Sequence, residues 1–465
     1  MDINDQDTIA APATAQGMSA IAIIRMSGPL AREIARRCFM PAHVSADRCF
    51  DEAGRLRRGS LIEPGTAQKI DDALLAVFRA PRSYTGEDLV EFQLHGGAGV
   101  VAACLNILLA NGARLATAGE FTKRAFLNGR LDLTQAEAVA DVIAAETVAA
   151  SKAAARRVSG GAGRALCALR AELLDRLVEI EAHVDYPDEV PEPDAGALLA
   201  TLHAHERRLN ELLAGAKTAR ALRDGIDCVI AGPPNAGKSS LLNALLNVER
   251  AIVSELPGTT RDIIEDRVAI DGVVLRLRDT AGLRETNDPI ESEGVERARR
   301  ALSGAELVIT VVDASRCATP DDRAALALAF EAPQIVFFNK LDLGNASSSE
   351  LRTALPPAER REVVEGSVRW ESTVAELRGA IARLGWGAGP IPPDADFLAN
   401  MRQIQALVRA RECLAHACDT LEQRWPIDLA CADMREAIAA YGEVSGESVS
   451  EKVLDAIFSR FCVGK

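Results

Sequence analysis

The sequence predicts a multidomain protein that combines an α+β N-terminal domain, an all-α helical domain and an inserted α/β domain with a phosphate-binding loop (P-loop). Short strands alternate with helices in the first 120 residues, and Ala- and Leu-rich helical patterns lie both before residue 224 and after residue 394. A strand, a glycine-rich loop and a helix follow one another between these helical stretches. With 465 residues, the chain has the length of about three domains.

We divide the chain at three predicted boundaries. Residues 1–120 form the N-terminal domain, 121–224 the first part of the helical domain, 225–385 the inserted domain, and 386–465 the second part of the helical domain with the C-terminal CVGK tail. Neither helical part looks like a complete bundle alone. Because insertions are tolerated where chain ends lie close together, one interrupted helical domain is the simplest interpretation.

Charge and cysteine content restrict the class of protein. The formal net charge is −14, so the chain is poorly suited to follow nucleic-acid phosphates by itself. Residues 1–130 are nearly neutral, with 15 Lys/Arg and 14 Asp/Glu, and we expect any RNA to be held there or by a basic partner. Ten cysteines without a C-x-x-C pair predict reduced thiols and a cytoplasmic location.

The sequence also argues against a membrane segment and a histidine metal site. The start MDINDQD is too acidic for a signal peptide, and the longest apolar stretch, near residues 100–110, is too short to cross a bilayer. The histidines show no metal-ligand spacing, and we interpret His203 and His205 as part of a helix surface.

The N-terminal domain is predicted to contain strands over residues 21–24, 74–78 and 89–94 and a helix over 100–109. Arg25 follows the first strand, and Glu87 lies in the loop before the third. Binding groups often occupy such positions, although a solvated surface charge is the ordinary alternative for both residues.

From residue 121 the pattern becomes helical. Thr134-Gln-Ala-Glu137 is a candidate capping box for one helix that runs to residue 158. The remaining helices are predicted over about residues 164–183, 195–223, 397–423, 432–441 and 449–461.

The stretch Gly232–Ser239, GPPNAGKS, matches the G-x-x-x-x-G-K-[ST] pattern of phosphate-binding loops. It follows an apolar strand over residues 228–231 and precedes a helix, so backbone N–H groups and the helix N-terminus can converge on phosphate oxygens. Lys238 would reach the β- and γ-phosphates, and the Ser239 hydroxyl would bind Mg²⁺.

A predicted hairpin over residues 268–278, with a tight Asp271-Gly272 turn, ends at Asp279-Thr-Ala-Gly282. The Asp279 carboxylate can hold Mg²⁺ through water, and the Gly282 N–H can contact a γ-phosphate. Between this motif and the P-loop, Thr260 is the candidate residue that closes over Mg²⁺ only when a triphosphate is bound.

Buried strands are predicted over residues 307–313 and 335–338, and the second ends in Asn339-Lys-Leu-Asp342, which indicates guanine specificity. The Asp342 carboxylate can accept hydrogen bonds from the ring N–H and the amine of guanine. Adenine lacks both donors, so it would leave a desolvated carboxylate unpaired.

Two residues bear on the mechanism of hydrolysis. Leu283 follows the Asp279–Gly282 motif where small signalling GTPases have a glutamine that orients water, and leucine cannot make that hydrogen bond. Asn235 could bind a monovalent cation that neutralises developing charge, or it could simply be a turn residue.

Several segments together resemble the MnmE (TrmE) family of tRNA-modification GTPases along nearly the whole chain. These segments are RMSGP (25–29), SYTGEDLVEFQLHGG (83–97), AGEFTKRAFLNGRLDLTQAEAV (118–139), GPPNAGKSSLLNAL (232–245), PGTTRD (257–262), DTAGLRE (279–285), NKLD (339–342) and FCVGK (461–465). The second, third and last are specific to this family, whereas all GTPases share the nucleotide motifs.

The resemblance implies a folate-binding N-terminal domain, a helical domain and an inserted G domain. It implies a homodimer joined through the N-terminal domains, with K⁺-stimulated GTP hydrolysis that depends on dimerisation of the G domains. A heterotetramer with MnmG (GidA) would add a carboxymethylaminomethyl or aminomethyl group to the wobble uridine of certain tRNAs. Formyl- or methylene-tetrahydrofolate would supply the one-carbon unit. The alternative is a regulatory GTPase switch in ribosome or ribonucleoprotein assembly.

The resemblance also implies site residues. Catalysis would involve Lys238, Asp279 and Glu291. Mg²⁺ would be bound by Ser239 and Thr260, and K⁺ by Asn235, Ser254, Leu256 and Thr259. The folate site would contain Arg25, Glu87, Arg130 and Lys465, with Cys462 as a possible reactive thiol. GTP would contact Asn235, Ala236, Gly237, Lys238, Ser239, Ser240, Ser254, Thr259, Thr260, Asp279, Thr280, Ala281, Gly282, Asn339, Lys340 and Asp342.

Three positions depart from the family pattern. The chain ends in Cys-Val-Gly-Lys where the family usually has Cys-Ile-Gly-Lys, and Arg130 stands where some members have lysine. Ser367-Val368 occupies the place of a serine-alanine pair that supports guanine.

Overall fold

The computed structural model describes residues 7–15, 17–246, 266–279, 304–327, 331–344, 346–357, 359–387 and 400–465. The chain divides into two compact units. Unit 1 comprises Met1–Ala140, Gly163–Ala171 and Ile438–Lys465, and unit 2 comprises Asp141–Ala162 and Glu172–Ala437. The multidomain combination of helices and sheets expected from the sequence is confirmed, whereas the three domain boundaries stay a prediction.

The strands of the described residues are numbered in chain order. They are β1 (Thr8–Pro12), β2 (Ser19–Ser27), β3 (Phe39–Pro41), β4 (Leu56–Ile62), β5 (Lys69–Phe78), β6 (Leu89–Gly96), β7 (Ala113–Leu115), β8 (Ile226–Ala231), β9 (Asp266–Ile270), β10 (Val273–Asp279), β11 (Leu307–Asp313), β12 (Gln334–Asn339) and β13 (Arg361–Glu365).

The helices of the same residues are numbered likewise. They are α1 (Ala31–Cys38), α2 (Ala46–Asp51), α3 (Ala98–Ala110), α4 (Glu120–Leu127), α5 (Leu133–Ala144), α6 (Val148–Val158), α7 (Gly161–Asp185), α8 (Ala195–Ala214), α9 (Ala216–Asp224), α10 (Lys238–Leu246), α11 (Pro320–Ala327), α12 (Ser348–Thr353), α13 (Glu371–Gly385), α14 (Met401–Glu422), α15 (Ala430–Ser445) and α16 (Glu451–Phe458).

Unit 1 is built on a sheet with the strand order β3-β4-β5-β6-β2-β1-β7. Neighbouring strands are antiparallel, except that β1 and β7 are parallel. Along β6, Val90, Phe92 and Leu94 are buried and alternate with more exposed residues, as a strand with one covered face requires. They join Ile24 and Ile34 in a core that α1 and α3 cover.

The C-terminal tail also belongs to unit 1. Phe458 packs its ring near that of Phe126, and Val463 forms a β-bridge with Ala118. Gly464 has a φ of +98°, and a Cβ there would lie 2.0 Å from the carbonyl oxygen of Pro12. Only glycine can therefore let the tail lie against β1.

Unit 2 contains a sheet with the strand order β13-β12-β11-β8-β10-β9, in which only β9 is antiparallel to its neighbour. Every residue of β11 and β12 is buried, as expected for central strands of a parallel sheet. In the register of this sheet Asp313 lies opposite Asn339, so the carboxyl ends of β11 and β12 meet at one edge.

Several predictions about the helices are wrong in detail. The helix predicted up to residue 158 is broken into α5 and α6, because the Thr147 hydroxyl caps α6 by accepting from the Ala150 N–H at 3.1 Å. The capping box of α5 lies two residues earlier than predicted: Asp132 accepts from the Gln135 N–H at 2.8 Å, and Gln135 accepts from the Asp132 N–H at 2.9 Å. The helix predicted over 195–223 is broken at Gly215.

The β9–β10 hairpin turns at Asp271-Gly272, as predicted. Both residues have positive φ angles, +50° and +86°, which is typical of tight hairpin turns. The Thr147 hydroxyl donates to the Gly272 carbonyl at 2.6 Å, and a Cβ on Gly272 would lie 2.4 Å from the Ala149 Cβ. The tip of the hairpin therefore packs directly on the first turn of α6.

A buried ion network lies in unit 1. Glu120 is 1% exposed and accepts from Arg114 at 2.5 Å and from Arg124 at 3.2 Å. Asp7 pairs with the same two arginines. Burial raises the pKa of Glu120, but hydrogen bonds from Arg114 and from the Thr117 N–H outweigh that effect and bring the pKa down to about 2.

Replacing Glu120 by Gln is expected to destabilise the protein by about 3 kcal/mol at pH 7, because two arginines lose a buried anion. A carboxyl whose pKa falls on folding from about 4.5 to about 2 contributes stability above pH 4.5 and loses it as the pH falls through 2. The difference in the free energy of unfolding between wild type and Glu120→Gln, measured by calorimetry, should therefore disappear as the pH falls from 4.5 to 2.

Glu33→Gln is the matched control, because Glu33 forms an exposed ion pair with Arg37. It should change stability by less than about 0.5 kcal/mol. Equal losses in the two variants would contradict a stabilising role for the buried network.

Candidate functional site

The P-loop connects β8 to α10 at the carboxyl edge of the parallel sheet. Gly232 has a φ of +137°, and a Cβ there would lie 2.1 Å from the Val311 carbonyl oxygen, so the loop passes too close to β11 for any side chain. The Lys238 ammonium donates to the carbonyl groups of Gly232 and Pro233, both at 2.9 Å. The lysine is therefore held across the loop that contains it.

The Asn339-Lys-Leu-Asp342 segment lies directly beside the P-loop. Asn339, 1% exposed, donates through Nδ2 to the Ala236 carbonyl at 3.0 Å. A Cβ on Gly237 would lie 2.2 Å from the same Nδ2, so this packing requires glycine. The Lys340 ammonium donates to the Asn235 carbonyl at 2.6 Å. The structure thus brings two predicted motifs, about a hundred residues apart in the sequence, into direct contact.

Asp313, at the end of β11, is a residue that sequence reasoning missed. Its carboxylate accepts from the Lys340 ammonium at 2.8 Å and from the Ser315 hydroxyl at 2.6 Å. Burial raises the pKa of Asp313, but these hydrogen bonds lower it overall. The available signal was an aspartate that ends an otherwise apolar strand, in the same position that Asn339 occupies on the next strand.

Ser367-Val368 lies at the same edge. The Val368 N–H donates to Asn339 Oδ1 at 3.3 Å, and the Ser367 hydroxyl, 1% exposed, accepts from the Arg369 N–H at 3.2 Å. Arg369 in turn lies 3.3 Å from the Asp342 carboxylate. The Ser367-Val368 pair therefore contacts Asn339, and the residue after it contacts Asp342.

The structure describes only some of the remaining residues that were predicted to bind the nucleotide. Asn235 is exposed, with a φ of +61°, and Ser239 and Ser240 are exposed in the first turn of α10. The backbone of Asp279 ends β10, opposite Ile230 of β8. Other predicted residues lie outside the described ones: Ser254, Leu256, Thr259, Thr260, Thr280, Ala281, Gly282, Leu283 and Glu291.

A second candidate site lies in unit 1, where the C-terminal tail meets β2. The Arg25 guanidinium forms an ion pair with Glu91 at 2.8 Å and lies 5.4 Å from the Tyr84 ring centre. It also donates to the Gly464 carbonyl at 3.4 Å. Burial and then the neighbouring Arg25 lower the pKa of Lys465. The structure therefore brings together Arg25 and Lys465, which are 440 positions apart in the sequence.

The other predicted residues of this site lie on the adjoining loops. Glu87 accepts from the Ser27 hydroxyl at 2.7 Å and from Arg124 at 3.2 Å. Arg130 is exposed and lies close to Gly86, the residue that precedes Glu87. A Cβ on Gly86 would be 3.2 Å from the Arg130 Cγ. Cys462 is exposed near the end of the tail.

Within the described residues, none of the helices combines the length and the apolar character that a membrane crossing needs.

Comparison with family models matches residues 8–130 to the GTP-binding protein TrmE N-terminus and residues 133–462 to the MnmE helical domain. The chain resembles solved G domains less closely. Aquifex aeolicus Era bound to GDP and AlF₄⁻ is 27% identical over 40% of this chain and 66% of its own, with a TM-score of 0.28. The G domain of the T. maritima FeoB iron transporter is 25% identical over 34% of this chain and 98% of its own, with a TM-score of 0.25. TM-scores this low support no inference.

Full-length relatives are much more similar. The tRNA modification GTPase MnmE of Chloroflexus aurantiacus is 45% identical over 99% of this chain and 100% of its own. That of Synechococcus elongatus is 41% identical over 99% of both chains, and that of Enterococcus faecalis is 40% identical over 99% and 98%. At this identity and coverage, and with the two sites just described, the chain belongs to the MnmE family of tRNA modification GTPases.

Proposed function

We propose that the GTPase hydrolyses GTP in a K⁺-stimulated reaction that requires its G domains to dimerise. In the cytoplasm, as a homodimer that forms a heterotetramer with MnmG, it adds a carboxymethylaminomethyl or aminomethyl group to the wobble uridine of certain tRNAs, using a folate one-carbon unit. The observation that carries the proposal is the packing of the CVGK tail beside Arg25, because it builds a second candidate site in unit 1, whereas the P-loop belongs to unit 2.

The first site suits a guanine nucleotide. The P-loop offers its backbone N–H groups and the start of α10 to the phosphates, and Asn339 keeps the guanine-binding segment against that loop. Asp342 would accept the guanine donors in place of its present partner Arg369. Lys238 and Asp279 would act on phosphates and Mg²⁺, and Glu291 would help to position the water.

Asn235 supports the cation part of the proposal. Its exposed side chain projects from the P-loop, while its carbonyl is fixed by Lys340. An amide oxygen at this place could contribute to a K⁺ site beside the transferred phosphate, where a positive charge offsets the charge that develops in the transition state. The remaining K⁺ ligands would be Ser254, Leu256 and Thr259, and Mg²⁺ would be bound by Ser239 and Thr260.

The second site suits a reduced folate carrying formyl or methylene. Arg25 and Lys465 provide two cations for an anionic ligand, and the Tyr84 ring provides an aromatic surface for a planar one. Glu87 would accept hydrogen bonds from the ring nitrogens, and the exposed Arg130 beside it would meet a carboxylate. Cys462 lies three positions before Lys465 in the tail and would be the reactive thiol of this site.

The cytoplasmic location has separate support. All ten cysteines are free thiols in the structure, as expected for a protein kept in a reducing compartment.

Gly237→Ala is expected to weaken GDP binding by about 10-fold to 100-fold. The new Cβ would displace the Asn339 amide, and losing a buried hydrogen bond costs about 1–3 kcal/mol. Titration with a fluorescent guanine nucleotide measures the effect. Gly99→Ala is the control, because a Cβ at Gly99 meets no atom within 4 Å. Unchanged binding by Gly237→Ala would contradict the proposed nucleotide contact.

Asn235→Ala is expected to abolish the stimulation by K⁺, because the cation loses a ligand. Wild type should hydrolyse GTP at least about tenfold faster in K⁺ than in Na⁺, and the variant should have similar rates in both salts. Phosphate release in matched buffers measures this. Asn243→Ala, at an exposed position of α10, should keep the wild-type ratio. Equal wild-type rates in the two salts would exclude the cation site.

Lys465→Ala is expected to keep GTP hydrolysis near the wild-type rate and to abolish uridine modification, because the lysine belongs to the second site alone. Wobble uridine in tRNA from a deletion strain carrying each variant would be measured by mass spectrometry. Lys452→Ala, at an exposed lysine of α16, should restore modification. Normal wobble uridine in the deletion strain itself would instead support a regulatory switch in ribosome or ribonucleoprotein assembly.

A further inference from the structure

Four potential metal-binding side chains meet where α8 and α14 pack against each other. His203 and Glu206 lie one turn apart on α8, and Cys418 and Glu422 lie one turn apart on α14. The ligand atoms of His203, Glu206 and Cys418 are all within 4.8 Å of one another. Pairs spaced by three or four residues on facing helices are a common way to build a metal site in a helical bundle.

Two of the separations between these atoms are close to those of a tetrahedral site. Bond lengths of about 2.0–2.1 Å for nitrogen or oxygen and about 2.3 Å for sulfur put neighbouring zinc ligands roughly 3.3–3.6 Å apart. His203 Nδ1 lies 3.3 Å from Glu206 Oε2 and 3.8 Å from Cys418 Sγ. Glu206 and Cys418 offer ligand atoms within 4.8 Å of each other, so Zn²⁺ could enter between the three ligands after small shifts of their side chains.

The outer nitrogen of the histidine ring has a suitable partner as well. His203 Nε2 lies 3.4 Å from Glu422 Oε1. A histidine that binds metal through one nitrogen usually donates its other N–H to a carboxylate, which fixes the tautomer and the ring orientation. Glu422 thus orients Nδ1 towards Glu206 and Cys418.

Charge around the thiol also favours a cation. Burial raises the pKa of Cys418 to about 11, and the carboxylates of Glu206, Glu422 and Asp419 contribute to the increase. The acidic side chains that disfavour a thiolate stabilise a divalent cation bound to it. One thiolate and one carboxylate neutralise Zn²⁺, and soft sulfur with imidazole selects zinc over magnesium or calcium.

We propose that His203, Glu206 and Cys418 form a zinc site, with His203 oriented by Glu422. Water would occupy the fourth position, because Glu206 and His203 are both partly exposed. The site belongs to neither the nucleotide motifs nor the tail. Sequence reasoning missed it, since His203-x-x-Glu206 and Cys418 are separated by the whole P-loop segment. The neighbouring His205, interpreted from the sequence as surface, is 1% exposed and lies outside this set of ligands.

Zinc at this position would connect two parts of unit 2 that are far apart in the chain. The antiparallel register of the helices is shown by a second contact, in which Arg411 of α14 lies 3.5 Å from Asn210 of α8. A metal bond between helices closes a long loop of chain, and metal affinity then contributes to the stability of the folded state.

The test uses the full-length protein, stripped with a chelator and kept reduced in excess Mg²⁺, and titrated with Co²⁺ as a spectroscopic probe. We expect one equivalent of Co²⁺ to give a thiolate charge-transfer band, Zn²⁺ to displace it, and Zn²⁺ to raise the melting temperature.

Cys418→Ser and His203→Gln should both lose the band and the melting shift. Glu422→Ala should weaken binding by about 10-fold to 100-fold, as expected when the partner of a metal-binding histidine is removed. Cys413→Ser is the matched control, because Cys413 lies on the same helix five positions earlier, and it should bind as wild type.

The readouts separate a zinc site from a merely structural contact. If Cys418→Ser does not fold, His203→Gln and Glu206→Gln, which alter partly exposed residues, decide the question. A band that survives in His203→Gln, a band lost equally in Cys413→Ser, or the lack of a stoichiometric thiolate band in wild type would overturn the proposal and leave an ordinary hydrogen bond between Cys418 and His203.

Discussion

The hydrogen bond from the Asn339 amide to the Ala236 carbonyl is the contact on which the carboxyl edge of the unit 2 sheet depends. It joins the end of β12 to the P-loop at 3.0 Å in a buried setting, where an unpaired amide or carbonyl would be costly. Gly237 leaves room for the amide, and Lys340 adds a parallel connection through Asn235 and Asp313. Residues 339–342 therefore cannot move independently of the P-loop.

In unit 1 the C-terminal tail likewise contacts residues that are distant in the sequence. The last four residues lie against β1 and the start of α4 instead of extending into solvent, and Gly464 permits the approach. Arg25 then contacts both the tail carbonyl and Glu91. Arg25 and the tail therefore belong to one candidate site of unit 1, although 440 positions separate Arg25 from Lys465.

The strands were predictable from the sequence wherever apolar runs were flanked by turn residues. Both β11 and β12, whose residues are all buried, follow directly from their Leu-Val-Ile and Ile-Val-Phe-Phe runs. The break between α5 and α6 was not predictable in the same way, because alanine favours helix throughout and only the capping geometry of Thr147 reveals the interruption. The P-loop and Asn339 were recognised as sequence motifs, but the hydrogen bond between them was not predictable from either motif. Contacts between distant residues, such as Asp313 with Lys340 or His203 with Cys418, leave no periodic signal in the sequence.

The anchoring of the β9–β10 hairpin on α6 has a mechanical consequence. One strand of this hairpin begins where the segment with Thr260 ends, and the other ends at Asp279, so both motifs attach to the same two-stranded element. The opposite end of that element is fixed by the 2.6 Å bond from Thr147 and by the close contact of Gly272 with Ala149. β10 is also paired with β8 as far as Asp279. A displacement of β10 along its axis at the Asp279 end would therefore have to disturb that pairing, and it would act on the bond between the hairpin tip and the first turn of α6.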